Sequence, residues 1–98
     1  MSAPEDVVTS GGHVTLRYWA SAREAAGTDH EALDVPGPVS LAELVGRARR
    51  EHDSSTFSRV IDCCSLMVGE RPVTGHDLAT VMVAPGATVE FLPPFAGG

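Results

Sequence analysis

Thr88-Val89-Glu90-Phe91-Leu92-Pro93-Pro94-Phe95-Ala96-Gly97-Gly98 is the stretch from which the rest of this 98-residue chain is best read. From Thr88 to Leu92 apolar and polar positions alternate, so Val89 and Phe91 share an inward face while Glu90 and Leu92 point outward, the period of a half-buried strand. Pro93 and Pro94 have no N–H to give to a ladder, so the strand must stop there and the chain must leave extended. Gly97 and Gly98 have no side chains and fit a channel too narrow for a Cβ. Phe95 is then an apolar anchor between stiff stem and slim tip. A Gly-Gly end is also what a frayed terminus looks like. Issuing straight from a strand through two prolines, it reads instead as a projecting tail, residues 93 to 98, expected to be flexible.

Working outward, residues 1 to 12 mix Pro, Ser, acid and a Gly11-Gly12 pair without periodicity and read as a mobile N-terminal arm. His13 to Trp19 alternates, with Val14, Leu16 and Tyr18 on one face and Thr15, Arg17 and Trp19 on the other. Ser21 and Glu24 have the spacing of a capping box, and Gly27 sits where a C-terminal cap belongs, so Ala22 to Ala26 is expected as one short helical turn. A second strand, about His30 to Val35, ends at Pro36-Gly37-Pro38. Ser40 and Glu43 form another capping box, flanked by Val39 and Leu44 at hydrophobic-staple positions, and open the main helix. Its inward stripe is Leu41, Leu44, Val45 and Ala48. The helix should fade at Asp53-Ser54-Ser55, after which Phe57, Val60 and Ile61 anchor an irregular or short helical connection. A third strand spans about Cys64 to Val68, with a turn at Gly69-Glu70. Between Arg71 and Gly86, one or two short strands are expected around Val73, Leu78 and Val81 to Val83, closed by the turn Ala84-Pro85-Gly86.

This order predicts an α+β domain over residues 13 to 92, with one main helix packed across a mixed sheet. In the β-grasp arrangement the first and last strands lie side by side and parallel, and the long connection between them makes that pairing possible.

Composition narrows the function. Thirteen acidic residues against seven basic ones give a formal charge of −6, which repels phosphate backbones and argues against nucleic acid as a partner. No apolar stretch approaches the roughly 20 residues that span a bilayer, and the start lacks a secretory signal pattern; the expectation is no membrane and a cytoplasmic location. All seven basic residues are arginine. Composition bias explains that blandly; functionally, a protein with an activated C-terminus gains by having no lysine amine to acylate. Cys63 and Cys64 are adjacent, which suits neither redox nor zinc spacing, and alternation should bury at most one of two reduced thiols. Nothing in their position suggests proximity to the tail. His13, His30, His52 and His76 share no ligand spacing.

The terminal carboxylate, with an ordinary pKa of about 3.5, is ionised at neutral pH and resists nucleophilic attack. Attack of that carboxylate on the α-phosphate of ATP would make an acyl-adenylate, and a sulfur donor could displace AMP to leave a thiocarboxylate. No P-loop, dinucleotide fingerprint or metal-ligand cluster is legible, so a separate enzyme would supply ATP and Mg²⁺, and no cofactor is expected on this chain.

Over about residues 13 to 98 the sequence resembles the MoaD/ThiS family of ubiquitin-like sulfur carriers. The resemblance rests on Phe91 to Gly98, similar to the family's C-terminal signature, and on Tyr18-Trp19-Ala20-Ser21-Ala22-Arg23-Glu24 with Gly27. It is greatest to the MoaD branch, the small subunits of molybdopterin synthase. The resemblance implies a β-grasp fold, adenylation of Gly98 by a MoeB-like enzyme, and sulfuration from a sulfur donor. It implies delivery inside a MoaE-like large subunit, where cyclic pyranopterin monophosphate receives two sulfurs from successive carriers to become the molybdopterin dithiolene. Such a chain is no enzyme on its own but the sulfur-donating part of a transferase complex. Arg71 to Val83 fits loosely, the arm before His13 is extra, and Trp19 stands where the family commonly has phenylalanine. A thiazole- or cysteine-forming carrier, a ubiquitin-like modifier of target lysines, or an interaction domain with an inert tail are the competing readings.

Alternation also places Trp19 and Leu92 on the same outward face beside the tail, as one apolar patch for a partner. The resemblance matches Arg23 to a partner-contacting arginine, although a solvated helix residue would look the same. Arg17 and Glu90 are placed to pair across strands, worth under about 1 kcal/mol.

Overall fold

The computed structural model describes residues 11 to 74 and 77 to 94. Residues 1 to 10, Gly75, His76, and Phe95 to Gly98 lie outside the described residues, and most of the expected mobile arm and flexible tail lies outside with them; Gly12, read as part of the arm, already pairs with Val35 in the first strand.

Strand β1 (Gly12–Tyr18) leads into helix α1 (Ala20–Ala26) and strand β2 (His30–Val35). Strand β3 (Val39–Ser40), helix α2 (Leu41–Glu51) and helix α3 (Ser55–Asp62) come next, then strands β4 (Ser65–Val68) and β5 (Arg71–Val73). A 3₁₀ turn (Leu78–Thr80), strand β6 (Met82–Val83) and strand β7 (Thr88–Leu92) complete the order. Five strands form one mixed sheet in the order β2-β1-β7-β4-β5, and β3 pairs with β6 in a two-stranded ribbon. The first and last strands are parallel neighbours, with Leu16 opposite Val89 and Tyr18 opposite Phe91; β2, β4 and β5 join antiparallel. This is the expected β-grasp, a ubiquitin-like α+β fold.

Local chemistry explains the elements. Ser40 caps α2, its Oγ accepting from the Glu43 N–H at 3.1 Å. The stripe Leu41, Leu44, Val45 and Ala48 is buried as the period requires. The segment Asp53-Ser54-Ser55 ends that helix but also starts the next: Ser54 Oγ accepts from the Phe57 N–H at 3.0 Å. Of the two connections expected here, irregular or short helical, the structure has the second, a regular two-turn helix that buries Phe57 and Ile61. Among the described residues between Arg71 and Gly86 there are two short strands, β5 and β6, and Leu78 lies in the 3₁₀ turn between them rather than in a strand.

One expectation is corrected. Ser21 and Glu24 form no capping box, because α1 begins two residues earlier, with Trp19 as the N-cap and no side-chain cap bond. The Trp19 carbonyl instead accepts from the Ala22 and Arg23 N–H groups at 2.9 and 3.3 Å. The entry is forced by Ala20, whose φ of +50° turns the chain sharply off the sheet and costs an L-residue roughly 1–2 kcal/mol. Gly27 does cap the other end, in the left-handed conformation that suits glycine, with φ +78°.

The core lies between the sheet and the helices. Val14, Leu16 and Tyr18 of β1 and Val89 and Phe91 of β7 meet the α2 stripe, Phe57, Ile61 and Ala22. Tyr18 stacks on Phe91 at 5.2 Å between ring centroids and meets Phe57 edge-on at 5.8 Å. Its hydroxyl donates to Glu31 Oε2 at 2.6 Å, and His52 Nε2 lies 2.7 Å from the same oxygen, tying the end of α2 to β2. Burial, and then the Glu31 carboxylate, hold the Tyr18 phenol far above its ordinary pKa.

Candidate functional site

Because β1 and β7 run parallel, both reach the same end of the sheet, and the backbone pairing continues one step beyond β1: the Trp19 N–H donates to the Phe91 carbonyl at 3.2 Å. That bond fixes Trp19 next to Leu92, and the antiparallel register puts Ser65 of β4 opposite Leu92. Pro93 and Pro94 then carry the chain off the sheet. Two grooves flank them and share them as a common wall.

The sheet-side groove is lined by Trp19, Ala20, Ser65, Leu92, Pro93 and Pro94 and encloses about 420 Å³. Trp19 is 41% exposed and Leu92 partly so. Here the structure brings together four residues singled out in the sequence: Trp19, Leu92, Pro93 and Pro94. Trp19 stands one residue past the end of β1 rather than inside it, yet still faces outward. Arg17 and Glu90 sit opposite one another in register, but no ion pair joins them among the described residues. The Arg17 guanidinium lies instead 4.8 Å over the Trp19 ring, where the ring's π-face attracts it and props the indole in place.

The helix-side groove is lined by Ser21, Thr56, Arg59, Val60, Cys63, Pro93 and Pro94, about 460 Å³. Cys63 is exposed there, at the end of α3, so the expectation that nothing places the cysteines near the tail is corrected for Cys63. The reason is topological: α3 packs beside α1, and its last turn comes down next to the point where β7 ends. Cys64 turns the other way. Its thiol donates to the Val60 carbonyl at 3.4 Å, and burial, with Cys63 beside it, pushes its pKa up to about 11. It is an unreactive, half-buried thiol, as alternation suggested for one of the pair.

Arg23 lies on the exposed side of α1 and lines neither groove. The charged side chain at the tail root is Arg59, which sequence reading passed over. Thr56, Arg59, Val60 and Cys63 are spaced i, i+3, i+4 and i+7, a helical stripe that becomes visible once residues 55 to 62 are read as a regular helix. Among the described residues, no cluster of three His, Cys, Asp or Glu is placed to hold a metal ion. No described helix is long and apolar enough to cross a membrane. The carboxylate of Gly98, with Gly97, Ala96 and Phe95, lies outside the described residues.

Comparison with known proteins agrees with this fold. The crystal structure of SAMP1 from Haloferax volcanii is similar in fold, with a TM-score of 0.73 at 21% identity, covering 89% of this chain and 100% of that one. So is a candidate molybdopterin converting factor, subunit 1, from Pyrococcus furiosus, with a TM-score of 0.70 at 22% identity over 86% of this chain and 99% of the other. A chain from the complex of subunits 1 and 2 of the molybdopterin-converting factor of Helicobacter pylori gives 0.62 at 15% identity, covering 88% and 99%. At such identities these likenesses speak for the fold alone. No match was found among curated proteins compared by sequence. The family assignment comes from residues 16–98, which fit the ThiS family; with most of its length inside that match, the chain belongs to the ThiS family of ubiquitin-like sulfur carriers.

Proposed function

We propose that this chain is the sulfur-donating small subunit of a molybdopterin synthase, acting in the cytoplasm. The observation that carries the reading is the tail root. The last strand of a ThiS-family β-grasp leaves its sheet through Pro93-Pro94 beside the outward patch of Trp19 and Leu92, and the family match runs on to Gly98. A patch of this kind suits a partner that draws the tail into its own active site while gripping the domain end.

The chemistry is that of the terminal group. A MoeB-like enzyme supplies ATP and Mg²⁺; the Gly98 carboxylate attacks the α-phosphate and pyrophosphate leaves, giving an acyl-adenylate. Sulfur from a donor displaces AMP, and the thiocarboxylate passes to cyclic pyranopterin monophosphate within a MoaE-like large subunit, two carriers being used in succession. This chain contributes reach and slenderness: Pro93 and Pro94 stiffen the stem, Phe95 anchors it, and Gly97 and Gly98 admit the tip to a narrow channel. Arg23, on the exposed face of α1, is available for a peripheral contact with the same partner. Support for the molybdopterin branch comes from the sequence signature and from neighbours whose names carry that role.

The second reading, a protein modifier, is favoured by the likeness to small archaeal modifier proteins. Reconstitution separates the two. The thiocarboxylated chain mixed with a molybdopterin synthase large subunit and cyclic pyranopterin monophosphate is expected to yield molybdopterin. Failure there, with transfer of the chain to protein lysines in cell extract, would favour the modifier; sulfur transfer only with a thiazole synthase would favour the thiamine branch.

A further inference from the structure

Strand β2 is an edge of the five-stranded sheet, with β1 as its one neighbour among the described strands. Its hydrogen bonds fix which backbone groups face outward. The Asp29 carbonyl accepts from the Tyr18 N–H at 2.9 Å. By the antiparallel alternation, Asp29, Glu31, Leu33 and Val35 then turn their N–H and C=O groups to β1, and His30, Ala32 and Asp34 turn theirs away. Side chains agree with this assignment: the outward carbonyl of His30 accepts from Thr28 Oγ1 at 2.9 Å, and that of Asp34 from Arg47 Nη1 at 2.7 Å. Each of these carbonyls keeps a second lone pair. His30, Ala32 and Asp34 are all exposed, and such an edge is a template for another strand.

We propose that this edge pairs antiparallel with the same edge of a second copy, about a two-fold axis at Ala32. Ala32 then faces Ala32 of the second copy, His30 faces its Asp34, and by symmetry Asp34 faces its His30. Each of these pairs exchanges two N–H···O=C bonds, so every outward backbone group of the strand is used. Each imidazole meets a carboxylate across the strands, a favourable cross-strand pair. Asp34 already holds His13 at 2.7 Å and His30 holds Asp29 at 2.6 Å. Each end of the pairing is therefore a run of His13, Asp34, and His30 and Asp29 of the second copy, in which like groups never adjoin. Other registers lose this match. Centring on Leu33 sets Pro36, which has no N–H, opposite His30. Centring on Glu31 or on Asp34 opposes two like carboxylates, and centring on His30 leaves Asp34 without a counterpart in the strand. This self-complementarity selects a second copy over an unrelated strand. None of the described residues lining the sheet-side groove lies on β2, so the pairing leaves that groove open in both copies.

The net charge of −6 on each copy opposes association at long range, and one strand pair buries less than a standard interface. The expected dimer is weak, with a Kd on the order of 0.1 mM. Sedimentation velocity up to about 1 mM protein should show it for the parent chain. Ala32→Pro removes the N–H given across the axis by both copies but no bond to β1, so it should weaken the dimer at least about tenfold with an unchanged thermal melt. Charge exchange decides the matter even if the proline chain melts early. Asp34→Lys opposes His30 to a lysine and His30→Asp opposes two carboxylates, so each variant alone should be monomeric, whereas their mixture should form a heterodimer. A parent chain monomeric over the whole range would overturn the proposal. So would a dimer that a folded Ala32→Pro chain forms as tightly as the parent, or a mixture that gives no heterodimer.

Discussion

Phe91 and Leu92 are neighbours on one strand and belong to two different kinds of structure. Phe91 is fully buried, stacked on Tyr18 and enclosed by the helices; Leu92, one pleat further, leaves its side chain at a groove that the described residues do not fill. The same contrast holds across the molecule. Around α2, the cap, the apolar stripe and the strand pairs satisfy one another. At the end where the tail leaves, helix α1 has no side-chain cap, Ala20 is held at positive φ, and Trp19 stays 41% exposed. Local disagreement with folding rules at one end, and agreement elsewhere, is what a binding end on a stable scaffold looks like.

The largest expected effect tests the buried side of this contrast. Phe91→Ala should lose about 3–5 kcal/mol of stability, the usual cost of emptying an aromatic core site. Leu92→Arg should change the urea midpoint little. If the two variants melted alike, the division between Phe91 and Leu92 would be false. The complementary experiment is calorimetry with the proposed partner, a molybdopterin synthase large subunit: Trp19→Ala and Leu92→Arg are each expected to cost about 2 kcal/mol of binding, roughly thirtyfold. Normal affinity with a collapsed melting temperature would make them core residues.

Much of the scaffold was legible in the sequence because it obeys periodicity. Val14, Leu16, Tyr18, Val89 and Phe91 alternate; Leu41, Leu44, Val45 and Ala48 keep the helical spacing; Ser40 carries the cap signature of α2. The parallel pairing of first and last strands was implied by connection length. The hidden features depend on context. Ser54 could be read as the end of one helix or the start of another, and only packing of Phe57 and Ile61 decides. With α3 left open between an irregular and a short helical connection, the stripe Thr56, Arg59, Val60 and Cys63 had no assigned face, and the helix-side groove was not anticipated. Ser21 carried a cap signature that the Ala20 turn makes irrelevant. Arg17 had a cross-strand carboxylate in Glu90 and an aromatic face in Trp19, and it lies over the second; sequence does not rank them.

A further test concerns the buried phenol. Tyr18 has a folded pKa raised by burial and by Glu31, so above pH 10 the unfolded chain ionises while the folded one resists. The stabilisation is present below that pH and is lost as pH rises, at up to about 1.4 kcal/mol per pH unit. Cys64, raised to about 11, adds loss of the same sign. Urea midpoints between pH 9 and 11 should fall for the parent and fall less for Tyr18→Phe; identical slopes would mean that Tyr18 is not held neutral by the fold. The smallest effect is expected at the turn into α1: Ala20→Gly should stabilise by up to about 1 kcal/mol, since glycine accepts positive φ without penalty. Destabilisation there would show that Ala20 stores no strain.

The central claim, that the chemistry resides in the last residue, is tested most directly by intact mass spectrometry of the folded chain. The protein is incubated with an activating enzyme, ATP and a sulfur donor, and the modified terminus is sequenced. The account predicts one sulfur-for-oxygen exchange at Gly98. It should be retained when Cys63 and Cys64 are both changed to serine, and abolished by deletion of Gly98 with no change in the thermal melt. Sulfur found on Cys63 or Cys64 as the required intermediate, or retained sulfuration of the chain lacking Gly98, would contradict it.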